Sequence, residues 1–165
     1  MSAMTLSKSP LPTHLDYNVA VANFERACTA PRYAGGKPRL RRNGTPIRYS
    51  GGYSCVYVID LPNHTAALRC WTNAIQGAET RYTRMIPYLR AQGLPYFVDC
   101  EYIPECIFIG NQPMPALYMD WVEADTLKDF VAANVNDAGM MRAAAAAFLH
   151  MARDLHIHQI AHGRL

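Results

Sequence analysis

Three features of the 165-residue chain predict an α+β fold. Between Ile47 and Val122 the apolar residues come in short runs rich in Val, Ile and Tyr, separated by turn formers, as in antiparallel strands. Inside that region, Gln76 to Gln92 carries apolar residues at three- and four-residue spacing, the helical period. Beyond Val122 only helical spacing remains. The expected architecture is a five-stranded antiparallel sheet with one packed helix, continued by further helices.

In order, Met1 to Pro12 is rich in Ser and Pro and is expected to be mobile. Asp16 to Cys28 suits a short helix, with Asp16 as its cap. Pro31 to Pro46, dense in Gly, Pro and Arg, reads as loop. Tyr53 to Leu61 and Thr65 to Thr72 flank the turn Pro62-Asn63-His64 and form a hairpin. Gln76 to Gln92 is a helix by Tyr82, Met85, Ile86 and Leu89, with Pro87 inside it as a potential kink. Tyr96 to Ile103 and Cys106 to Ile109 read as an antiparallel pair, and Ala116 to Val122 as a further strand. Thr126 to Asn134 is a small helix with Leu127 and Phe130 inward. Asp137 to Gln159 is the longest helix, capped by Asp137, with Met141, Ala145, Phe148, Ala152 and Leu155 on one stripe. The boundaries fall as a leader (1–46), a sheet region (47–122) and a helical region (123–165).

Half of the residues are hydrophobic and 18% are charged, a balance that supports a core and argues against disorder throughout. A net charge of +3 does not by itself indicate nucleic acid. The densest basic stretch, Lys37 to Arg42, is readable as a phosphate-contacting stripe or as a solvated loop beside Gly35, Gly36 and Gly44. No run reaches the ~18 apolar residues of a membrane span. The five cysteines are odd in number and contain no C-x-x-C pair, so reduced thiols and a cytoplasmic setting are expected. Cys100 and Cys106 bracket a predicted turn. His156, His158 and His162 are spaced unlike a zinc site and read as structural.

Chemistry concentrates in an ordered series. Tyr49-Ser50-Gly51-Gly52-Tyr53-Ser54-Cys55-Val56 places two glycines in a tight turn, where absent Cβ atoms let backbone N–H groups approach a polyphosphate. Arg69 ends a strand that pairs with this hairpin; a cation there calls for an anion, and Glu79 on the following helix is a candidate. Met119-Asp120-Trp121-Val122 is a short strand running into a polar linker. His156 to Leu165 closes the last helix with a histidine-bearing loop.

From about Tyr49 to Leu165 this series resembles the protein-kinase fold, most of all small, divergent bacterial kinase-like proteins. The leader from Asp16 to Pro46 is similar to that group as well. In kinases the glycine loop covers the phosphates, a strand lysine pairs with a helix glutamate, and the Asp of H-R-D acts as base. The resemblance implies that Gly51 and Gly52 form the phosphate loop, with Ser54 at its third glycine position. It places Val56 and Ala67 against adenine, Arg69 at the lysine and Glu79 at its partner. Met119 falls at the gatekeeper, Asp120 to Val122 at the hinge, and His162 at the histidine of H-R-D. A site for ATP follows from it.

The departures matter as much. Tyr49 stands at the first glycine position, and Arg69 is not interchangeable with lysine. Gly163-Arg164 replaces R-D, putting a cation where the base belongs, and the chain ends before the metal-binding Asn and D-F-G. The expectation is a truncated kinase-like or pseudokinase domain: ATP binding that is weak or absent, without Mg²⁺ and without phosphate transfer. Phe148, Leu149 and Leu155, left without further helices, would offer an apolar surface to a protein partner or a second copy. A rival reading is a small interaction or nucleic-acid-binding domain that uses Lys37 to Arg42.

Overall fold

A computed structural model describes residues 11–161; the first ten residues, and His162 and Arg164 with them, lie outside that range. The chain divides into two compact units. One comprises residues 11–91 and Phe97–Trp121, the other Gln92–Tyr96 and residues 122–161.

The first unit is a six-stranded antiparallel sheet with helical segments, one strand more than the sequence predicts. Its strands are β1 (Lys37–Pro38), β2 (Arg48–Ser50), β3 (Ser54–Asp60), β4 (Thr65–Trp71), β5 (Cys100–Ile109) and β6 (Gln112–Asp120). They run in the order β1-β3-β4-β6-β5, and β2 also pairs with β3. Two strands have no expected counterpart, β2 and β1, the latter a two-residue edge pairing Lys37 with Asp60 and Pro38 with Ile59, while two expected strands merge into β5.

One face of the sheet carries the main core. Helix α1 (His14–Ala22) and the single turn α2 (Phe24–Ala27) bury Tyr17, Ala20, Val21, Phe24 and Ala27 against Tyr57, Leu68, Cys70, Ala116 and Tyr118. The spacing 17, 20, 21, 24 is one helical face. The cap of α1 is Thr13 rather than Asp16. Thr13 Oγ1 accepts from the Asp16 N–H, and the Asp16 carboxylate accepts from the Thr13 N–H at 2.8 Å, a reciprocal box that satisfies two orphan donors. Buried tyrosines need partners for their hydroxyls, and these donate to strand carbonyls: Tyr17 to Trp71 at 3.2 Å and Tyr33 to Ala67 at 2.7 Å.

The sequence divided the β5 region wrongly. Residues 100–109 are one strand, and the turn comes at Gly110, with φ +60°, rather than between Ile103 and Cys106. Pro104 suggested a break but sits at a register shift between Ile103 and Ile107, where a missing donor is tolerated. Strand β6 likewise begins at Gln112, four residues before the expected Ala116. Its prolines, 113 and 115, lie where only β5 is a neighbour, since β4 pairs with residues 116–120 alone. Cys100 and Cys106 thus share a strand, and all five thiols are free. Helix α3 (Ala78–Gln92) runs through Pro87 and buries Ile86.

The second unit contains α4 (Leu127–Asn134), with Thr126 as N-cap, and α5 (Ala138–Ile157), with Asp137 as N-cap. The Asp137 carboxylate accepts from the Gly139 and Met140 N–H groups at 2.8 and 2.9 Å. Leu127 is exposed rather than inward, while Phe130 is partly covered. On α5, Phe148 and Leu149 are exposed, as the unpartnered stripe implied, but Leu155 is buried. His158 Nδ1 lies 2.8 Å from Gln92 Oε1, and the Tyr96 hydroxyl donates to Asp154 at 2.5 Å. Among the described residues no helix is long and apolar enough to cross a membrane.

Candidate functional site

In an antiparallel sheet, residues directly opposite one another share a face. The register therefore assigns faces without reference to any ligand. One row reads Tyr49, Val56, Arg69, Leu117 and Tyr102 across β2, β3, β4, β6 and β5. The next reads Val58, Ala67, Met119 and Cys100, and a third pairs Ser54 with Trp71. Ser54, Val56, Ala67, Arg69 and Met119, each singled out from the sequence, thus line the face opposite the main core. Helix α3 packs on this same face, where Ile86 and Tyr82 meet Trp71, Leu117, Tyr102 and Met119.

The Arg69 side chain is half-buried, and its Nε donates to Ser54 Oγ at 3.0 Å. No ion pair joins it to Glu79 among the described residues. Glu79 opens α3 and is exposed. The Tyr102 phenol is pushed up by burial first and by the Glu79 carboxylate second.

Gly51 and Gly52 form the turn between β2 and β3, closed by the Gly51 N–H donating to the Ser54 carbonyl at 2.9 Å. The Gly52 carbonyl accepts from Asn73 Nδ2 at 2.6 Å, which pins the turn to the end of β4. Neither glycine has positive φ, and a Cβ would meet nothing closer than 3.8 Å at Gly51 and nothing within 4 Å at Gly52. The local fold therefore does not require glycine at either place, unlike Gly36, where a Cβ would stand 2.9 Å from the Tyr33 carbonyl.

The segment after Met119 is already engaged in the sheet. Asp120 N–H donates to the Asp99 carbonyl at 2.9 Å and Trp121 N–H to the Thr65 carbonyl at 3.1 Å. The Asp120 carboxylate belongs to the other face, where it accepts from the Tyr118 hydroxyl at 2.8 Å, and that hydroxyl lies 2.7 Å from His64 Nε2. Burial first, and the Asp120 hydrogen bond second, push the Tyr118 phenol up to about 12. Val122 is exposed and is the first residue of the second unit's longer stretch.

Three further features are not evident from the sequence pattern. Tyr49 and Trp121 bring their rings together at 5.6 Å, tilted by 34°. Trp71, Tyr82 and Tyr102 form a cluster with centroids 5.7–6.2 Å apart. Asp99 is held by two arginines, Arg32 and Arg90. Charge alternation could have hinted at the last of these, but the partner Arg32 lies 67 residues away. In the basic stretch, Arg39 is tied to Asp60 at 2.7 Å and to Thr65 at 3.4 Å, which removes one cation from any phosphate-reading row. Among the described residues no three His, Cys, Asp or Glu side chains gather as metal ligands.

No family model, curated protein or solved structure matches the chain.

Proposed function

We propose that the face bearing Ser54, Val56, Ala67, Arg69 and Met119, with the Gly51-Gly52 turn at its end, is the nucleotide face of a protein-kinase-like lobe. On this reading it binds ATP or ADP weakly, without phosphate transfer. One observation carries the reading. Three strands could each have turned its chosen residues either way, and the register puts all five on one face. The open glycine turn supports it, since those glycines serve no visible backbone need. Arg164, where the pattern calls for a base, supports the lack of transfer, because a guanidinium cannot accept a proton.

Thermal unfolding with ATP or ADP, with and without Mg²⁺, tests the proposal. At about ten times Kd a ligand that binds only the folded chain adds ~1.4 kcal/mol. For a chain of this length that raises Tm by about 3–6 °C. The shift is expected without metal and reduced in Arg69→Ala. No shift at millimolar nucleotide refutes the binding, and transfer of radiolabelled phosphate, abolished by Arg69→Ala, refutes the pseudokinase assignment.

A further inference from the structure

Strands β2 and β6 stand three strand spacings apart, roughly 14 Å. Tyr49 of β2 and Trp121, the residue that follows β6, nonetheless bring ring centroids to 5.6 Å. Tyr49 shares a face with Val56, its partner in the register, and Trp121 follows Met119 by two residues on that same face. To meet, both rings must lean inward over β3 and β4. The rows they cross hold Val58 and Ala67, only 1% and 3% exposed, although neither belongs to the main core on the opposite face. The closed arrangement has a cost, since Trp121 Nε1 is shut away from solvent without a hydrogen-bond partner. Tyr49 keeps half of its surface in water and sits on a three-residue strand at the sheet edge, so it is the ring free to move.

We propose that Tyr49 and Trp121 form an aromatic latch over the Val56–Ala67 part of this face, and that a nucleobase enters only when the rings part. The inference rests on the nucleotide reading above and adds its regulation: the face is held shut from within, and opening frees the Trp121 indole Nε1–H for an acceptor on the ligand. The latch lowers apparent affinity by the fraction of molecules that are open.

The test titrates ADP without metal calorimetrically into the full chain, as wild type, Tyr49→Ala and Tyr49→Phe. Acrylamide quenching of tryptophan emission is measured on the same proteins. Trp71 is buried, so added quenching reports Trp121. Tyr49→Ala should be quenched more and bind ADP about two- to twelvefold tighter, the worth of one aromatic pair. Tyr49→Phe keeps the ring and should match wild type in both measurements. Tyr49→Thr repeats the truncation with a residue better suited to a strand. Unchanged quenching, or ADP bound no tighter by Tyr49→Ala and Tyr49→Thr than by wild type, overturns the latch and leaves the nucleotide reading standing. If no form binds ADP at millimolar concentration, the nucleotide reading fails and the gate fails with it.

Discussion

Replacing Asp99 by Ala should cost the sheet unit a small, pH-dependent amount of stability. Each carboxylate oxygen has its own guanidinium: Oδ1 faces Arg90 at 2.6 Å and Oδ2 faces Arg32. Arg90 also donates to the Cys100 carbonyl at 3.2 Å, and Arg32 lies 4.1 Å above the Tyr118 ring. Asp99 therefore joins α3, the turn at Pro31–Tyr33 and the start of β5. The partners are more than a third exposed, at 37% for Asp99, 39% for Arg32 and 62% for Arg90, so water screens both pairs. At that exposure each pair is worth ~0.2–1 kcal/mol, giving about 0.4–2 kcal/mol for the two together. The matching fall in Tm is about 1–8 °C at 2–4 °C per kcal/mol. Burial pushes the Asp99 carboxyl up, but Arg90 and Arg32 outweigh it and hold the group below the usual range. A depressed carboxyl contributes stability above its unfolded pKa of about 3.9 and loses it as pH falls through the folded value. The difference between wild type and Asp99→Ala should be full at pH 7 and vanish at strongly acid pH. About 1 M salt, with a screening length of ~3 Å, should shrink it. Urea melts across pH provide the assay. A difference that persists into strong acid, or stays below about 0.3 kcal/mol at pH 7, would refute the clamp.

Two further substitutions probe the packing. Leu68 is fully buried beneath α1 and α2, so Leu68→Ala should cost ~2–5 kcal/mol by denaturant melts, with m unchanged if the fold persists. At Gly36 a new Cβ would lie 2.9 Å from both the Tyr33 carbonyl and Ile59 Cγ2; backbone cannot yield as a side-chain tip can, so Gly36→Ala should lower Tm, whereas Gly52→Ala, with open space around it, should not.

What the sequence made legible follows from which forces act locally. The hairpin β3–β4 was readable because its apolar runs are bounded by Pro62-Asn63-His64, and α5 because Asp137 caps it within two and three residues. The face of α1 was less legible because the exposed Val19 falls outside the 17-20-21-24 stripe and blurs its period. Strand β5 was cut in two because a proline argues against pairing in general, whereas here it coincides with a register shift that only the partner strand defines. The candidate site divides along the same line. Residue types at the right separations were visible, but whether they share a face depends on register, a relation between strands. The Tyr49–Trp121 contact lay further still from view, since it needs the order of four strands and the lean of two rings.

Two departures from the kinase pattern answer one another. Ser54 stands where the resemblance expects a third glycine, and Arg69 where it expects lysine. The structure joins them, with Arg69 Nε donating to Ser54 Oγ at 3.0 Å. A lysine has no donor along its stem, so it could not make this bond while keeping its terminal charge in place. A glycine at 54 would offer no acceptor. The pair thus fixes the arginine stem at its Nε and leaves the Nη fork to carry the charge. This anchoring comes from β3 rather than from Glu79 on α3, so the cation's position does not depend on how that helix is set. If this face takes a nucleotide as proposed, a cation placed by its own sheet needs no helix movement to be presented to a phosphate.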